Sequence, residues 1–139
     1  MTSPPQIETP RSNSGRSDDR ARGLRILHAT DTFLPNVGGL ELSTAALTSA
    51  QVRRGQVVAV ATPRHPHAPE RESLDGVEVH RLPMAMAHVP GAYVDPAHLF
   101  FPPIPDPLFA RAFAGLVRRF RPDIIHARGW ILYLSLIHI

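Results

Sequence analysis

The sequence predicts an α/β fold in which a parallel sheet is covered by helices. Short and almost wholly apolar segments recur at residues 24–29, 57–62 and 123–127, as strands buried on both faces do. Stretches of helical composition with recognisable ends lie between them, so strands and helices alternate as βαβ units require.

Residues 1–23 are rich in Ser, Pro, Arg, Asp and Gly around an isolated Ile7. Such a segment buries too little surface to offset its ordering entropy, and a disordered tail is expected. Residues 24–29 (LRILHA) read as the first strand, and residues 30–39, with Pro35, Asn36, Gly38 and Gly39, as a loop. Residues 40–54 read as a helix on which Leu40, Ala46, Leu47 and Ala50 share a face, with Arg53 and Arg54 in the last turn and Gly55 as the stop. Residues 57–62 form the second strand. A loop rich in Pro and His follows, and residues 77–82 alternate as a third strand. Residues 83–105 are proline-rich and aperiodic, long for a loop inside a compact domain. Asp106 and Pro107 read as N-cap and first residue of a second helix, with Phe109, Phe113, Leu116, Val117 and Phe120 on its core face. Arg121-Pro122 ends it before the fourth strand. The sum is a Rossmann-like sheet, whose ligands sit beyond the carboxyl ends of the strands: residues 30–39, 62–67 and 126–130.

A chain of 139 residues has room for one small domain, and 43% hydrophobic residues suit a core made mostly of aliphatic side chains. There is no cysteine, which removes disulfides, thiolate metal sites and cysteine nucleophiles together and accords with a cytoplasmic setting. All 15 basic residues are Arg, yet the net charge is only +3, too weak for an expected nucleic-acid partner. No apolar run reaches the ~18 residues of a membrane span.

Three features could carry chemistry. Gly38 and Gly39 join a strand end to a helix start, where unpaired N–H groups and the positive dipole end favour an anion. The same pair also reads as a tight turn needing positive φ. The loop has neither the G-x-G-x-x-G dinucleotide fingerprint nor the Gly-Lys-Ser/Thr of a P-loop. His126 and Arg128 end the fourth strand; the histidine could bond a sugar hydroxyl or move a proton, and the arginine suits a phosphate. A strand-end histidine bonded to backbone is the plainer reading. His65-Pro66-His67 has a metal-like spacing without a supporting carboxylate pair, so a solvated loop and no metal are expected, and Glu70 and Glu72 read as solvated charges.

These residues form a known pattern. Asp31-Thr32-Phe33-Leu34-Pro35-Asn36-Val37-Gly38-Gly39-Leu40-Glu41, the later Arg54-Gly55-Gln56-Val57-Val58, and residues 121–130 (RPDIIHARGW) resemble the opening of family 4 retaining glycosyltransferases of the GT-B fold. Those carry F/Y-x-P-x-x-G-G-x-E, then R-G-H-x-V, then R-P-D-[IV]-[IV]-H-x-H. The resemblance covers residues 24–133 and implies the acceptor-side N-terminal domain of a nucleotide-sugar-dependent hexosyltransferase, with retained configuration and no metal. It implies that Gly38 and Gly39 lie near the donor diphosphate and that His126 lies near the transferred sugar. Arg128 stands where the family has the second histidine and would serve as a phosphate contact instead. Gln56 replaces the histidine of R-G-H.

The resemblance further implies a sugar or lipid-linked acceptor, sometimes at the inner membrane face, where the Arg-rich second helix would permit peripheral contact. It also implies a C-terminal nucleotide-gripping domain that carries an E-x₇-E motif, and nothing in this sequence supplies that domain. The expectation is a truncated, inactive fragment. Residues 134–139 (LSLIHI) match the translation of a transposon-derived sequencing adapter and are expected to be an artefact. Two rivals remain at this level: another Rossmann-type enzyme such as a dehydrogenase, and a non-catalytic anion-binding module.

Overall fold

The computed structural model describes residues 2, 23–85 and 106–129. The expected tail, most of the 83–105 loop and residues 134–139 lie outside them. The elements are β1 (Arg25–Thr30), α1 (Gly39–Arg53), β2 (Val57–Pro63), β3 (Arg71–Leu74), β4 (Val77–Leu82), α2 (Pro107–Phe120) and β5 (Ile124–Arg128). They build one sheet in the order β3-β4-β2-β1-β5, parallel throughout except for the β3–β4 pair.

β3 is an element the hydrophobic pattern did not reveal. Its sequence, Arg-Glu-Ser-Leu, is polar because it is an edge strand, where charges discourage pairing with another chain. Asp75 and Gly76 follow, both with positive φ (50° and 80°), as a two-residue hairpin turn of type I′ requires. Glu72, expected to be solvated, lies 2.6 Å from Nη1 of Arg81, whose side chain is almost fully buried. Burial of that arginine demands a paired anion, which is why this glutamate turns inward.

The two faces of the sheet solve packing in opposite ways. Toward α2 the sheet presents small side chains, Ala29, Ala59 and Ala61 beside Leu27, and the helix fills the space with Phe109, Phe113, Leu116 and Phe120. Toward α1 it presents Val58, Val60, Val77 and Val79, and the helix is correspondingly thin. Its fully buried positions are Glu41, Thr44 and Thr48, not the expected stripe of Leu40, Ala46, Leu47 and Ala50. Thr44 and Thr48 donate their hydroxyls to the carbonyls of Leu40 and Thr44 (2.7 and 2.9 Å), so small polar residues are buried without an orphaned donor. A branched floor leaves no room for a leucine-lined helix, and pattern reading alone does not see the floor.

The ends of α2 match expectation. The carboxylate of Asp106 accepts from the N–H groups of Leu108 and Phe109, and also from Ala85 N, each at 3.0 Å. Asp106→Ala should therefore cost about 1–2 kcal/mol, read as a lower urea midpoint with an unchanged slope. Arg121 closes the helix in the left-handed region (φ 52°). Asp123 then accepts Arg25 N at 2.8 Å, and Arg25 Nε donates to Phe120 O at 2.7 Å, pinning the start of β5 to β1. Among the described residues β5 borders β1 alone, leaving Ile124 and Ile125 about half exposed.

Candidate functional site

Parallel strands place their carboxyl ends together, so the loop after β1, the start of α1 and the end of β5 meet at one side of the sheet. The loop is braced from beneath. Thr30 donates its hydroxyl to Thr32 O (2.9 Å), Thr32 donates to the Glu41 carboxylate (2.8 Å), and the Asn36 amide donates to the Thr32 hydroxyl (3.2 Å). His65 Nδ1 accepts from His67 N, which leaves its Nε2–H to donate to the Asn36 side-chain oxygen at 3.1 Å. The His-Pro-His segment thus clasps the glycine loop. Arg81 adds a bond to Leu34 O at 2.6 Å.

Gly38 is the N-cap of α1 and carries no side-chain cap. Its φ of −165° is ordinary extended backbone, and neither it nor Gly39 has positive φ, so the tight-turn reading of this pair is wrong. Their smallness is what counts. A Cβ on Gly38 would lie 2.6 Å from Glu41 Oε2, because the buried glutamate, third residue of the helix, folds its carboxylate back over the cap. A Cβ on Gly39 would meet nothing within 4 Å, so the helix start faces open space. The carboxylate is stabilised there by the helix dipole, and it also offsets part of the positive potential an incoming anion would meet.

A positive charge reaches α1 from β5. Register pairs His28 with His126 and Thr30 with Arg128, placing all four on the α1 side of the sheet. The Arg128 guanidinium reaches α1, with Nη2 donating to Ser43 Oγ at 3.2 Å. Its Nη1 is buried and has no hydrogen-bond partner among the described residues. Gly129 follows with φ 122°, and a Cβ there would overlap Asp31 Oδ2 at 2.2 Å. The glycine lets the Asp31 carboxylate close on the backbone beside Arg128.

His126 is exposed and stacks at 5.1 Å, tilted by 54°, on the ring of His28, which is fully buried. His28 Nε2 lies 2.8 Å from the Gln51 side-chain oxygen, while Nδ1 has no partner among the described residues. Burial holds the His28 pKa below its ordinary value, opposed by the Gln51 bond and reinforced by His126 and Arg128. His65 and His80 are shifted the same way, again first by burial. A depressed histidine pKa means that the unfolded chain binds protons first, so the stability these residues contribute is full above the unfolded value near 6.5 and is lost as pH falls below it. The thermal midpoint should fall between pH 7.5 and pH 5.5, and more shallowly for His28→Asn, as followed by circular dichroism.

The structure therefore places His126 and Arg128 on the α1 side of the sheet and the Gly38-Gly39 helix start at the carboxyl end of β1, with Ser43 linking β5 to α1. No hydrogen bond joins His126 to the glycines. Sequence reasoning passed over Ser43, His28, Glu41 and Gly129. Only Glu41 left a usable signal, an acidic residue three positions after a helix cap.

The chain is 31% identical over 108 residues, 74% of its length, to a GDP-mannose-dependent alpha-mannosyltransferase of Mycolicibacterium smegmatis, and it spans about a quarter (25%) of that relative. Residues 38–138 match the model of the glycosyl transferase 4-like domain, from the first site glycine onward and across the His126–Arg128 strand. By that match the chain belongs to the glycosyl transferase 4-like family.

Proposed function

We propose that the chain is the acceptor-side part of a glycosyltransferase that moves a hexose from a nucleoside diphosphate sugar to an acceptor hydroxyl with retained configuration. The observation that carries the reading is the Arg128 guanidinium. It is held against α1 by Ser43 with one buried nitrogen unpartnered among the described residues, beside a helix start without a side-chain cap. The diphosphate would lie before Gly38 and Gly39, where the backbone N–H groups and Arg128 hold the charge that develops as the sugar leaves. Fixed donors of this kind need no reorganisation during reaction. His126, exposed beside them, would contact the transferred sugar.

The family relative is named for GDP-mannose, which is therefore the first donor to test. Because the chain spans a quarter of that relative, turnover is to be tested on a longer protein that carries this domain; the present chain alone is expected not to turn over donor. That longer protein should transfer labelled mannose to a sugar or lipid acceptor, with an α-linkage seen by NMR. Transfer from no nucleoside diphosphate sugar, or inversion at the anomeric carbon, would overturn the reading.

A further inference from the structure

A second basic feature lies on the opposite face of the sheet. A groove of about 450 Å³ runs between α2 and the β3–β4 hairpin, and Arg64, Arg71, Arg81, Arg111, Arg118 and Arg119 all line it. Three of these are neutralised within the fold: Arg64 by Glu70 at 2.9 Å, Arg71 by Glu78 at 2.9 Å and Arg81 by Glu72 at 2.6 Å. Arg111, Arg118 and Arg119 have no carboxylate partner among the described residues.

The unpaired charges converge. Gly115 sits in the middle of α2, where glycine lowers helix stability relative to alanine. A Cβ at that position would stand 3.4 Å from Arg119 Nη1 and 3.9 Å from Arg118 Nη2. Two guanidinium groups thus lean over the one helix position that has no side chain. Like charges repel, and solvated arginines on a helix have free rotamers with which to diverge. Their approach over an open patch of helix suits a multivalent anion placed between them, which removes the repulsion and accepts planar paired hydrogen bonds.

We infer that this groove is a binding site for a small phosphate-bearing anion with at least two negative charges, held by Arg118 and Arg119 over Gly115 with Arg111 at its side. The concave shape between helix and hairpin favours a compact ligand over a flat charged surface. The groove lies on the α2 face, whereas His126 and Arg128 lie on the α1 face, so it is separate from the candidate functional site and does not depend on the glycosyltransferase reading.

Titration calorimetry of the purified chain with inorganic pyrophosphate tests the inference. Saturable binding is expected, weakened about tenfold or more in Arg118→Gln/Arg119→Gln and also in Arg111→Gln/Arg118→Gln, a second removal that spares Arg119. Circular dichroism shows whether each variant keeps its fold. Arg53→Gln/Arg54→Gln, at the far end of α1, should bind as the parent does. No saturable binding overturns the site. So does binding that survives both groove variants, or that is lost in Arg128→Gln instead. Cosedimentation with phosphatidylglycerol–phosphatidylcholine vesicles that requires Arg118 and Arg119, without pyrophosphate binding, would also overturn it in favour of a membrane-facing patch.

Discussion

Phe109→Ala should cost about 3–5 kcal/mol, a large share of a whole domain stability of the order of 5–15 kcal/mol. Phe109 has no exposed surface, and its ring stacks on Phe113 at 6.2 Å with the planes nearly parallel. The loss is large because the sheet contributes the short side chains of Ala29, Ala59 and Ala61 to this core, and their methyl groups do little to refill the space. Backbone movement is also restrained, since Phe109 N is bonded to the Asp106 carboxylate. Urea denaturation followed by far-ultraviolet circular dichroism reads the effect. A matching Val58→Ala on the α1 face should cost less, about 1–3 kcal/mol, because only the two γ-methyl groups are removed, beside a helix already lined by small side chains. Equal losses at the two positions would contradict the opposite packing of the two faces.

In the longer protein, Arg128→Gln should lower kcat/KM for the nucleoside diphosphate sugar by about a hundredfold, with much of the loss in kcat. The guanidinium contributes little to the fold: one 3.2 Å bond to Ser43 Oγ holds it in place, and Nη1 has no partner among the described residues. The buried carboxylate of Glu41 folds back over Gly38, so an anion arriving at the helix start meets a potential already partly offset. Under the proposed function Arg128 would restore that balance, and its removal would leave leaving-group charge facing a carboxylate. Thermal stability should hardly change. Arg128→His, which restores the histidine found at this position in the resembling segment, should recover part of the rate. Unaltered kinetics for Arg128→Gln would remove the arginine from the donor site.

The legible parts of the sequence were those in which local chemistry and tertiary demand coincide. The apolar runs of β1 and β2 are strands because residues buried on both faces leave no polar alternation, and β4 was legible from its alternation instead. The Asp106-Pro107 start of α2 and the Phe stripe after it read correctly because a strongly amphipathic helix declares its inward face. The positions of Gly38 and Gly39 at a helix start and of His126 and Arg128 in the last strand were also legible, because chain punctuation marks both places. β3 was missed although Asp75-Gly76 is a strong hairpin signal, because the four residues before it carry no apolar pattern.

What sequence by itself determined is the alternation of elements, their limits to within a residue or so, and the family pattern that places glycines and histidine at strand ends. The tertiary structure alone decided which face of α1 turns inward, because that depends on the valines of a neighbouring strand rather than on the helix's own pattern. It also decided why the glycines are glycines: Gly38 by the returning Glu41 carboxylate, and Gly129 by positive φ and the approach of Asp31. The physical reason is the same in each case. Sequence periodicity records which side chains avoid water, whereas close approach and charge compensation depend on atoms brought together from distant parts of the chain.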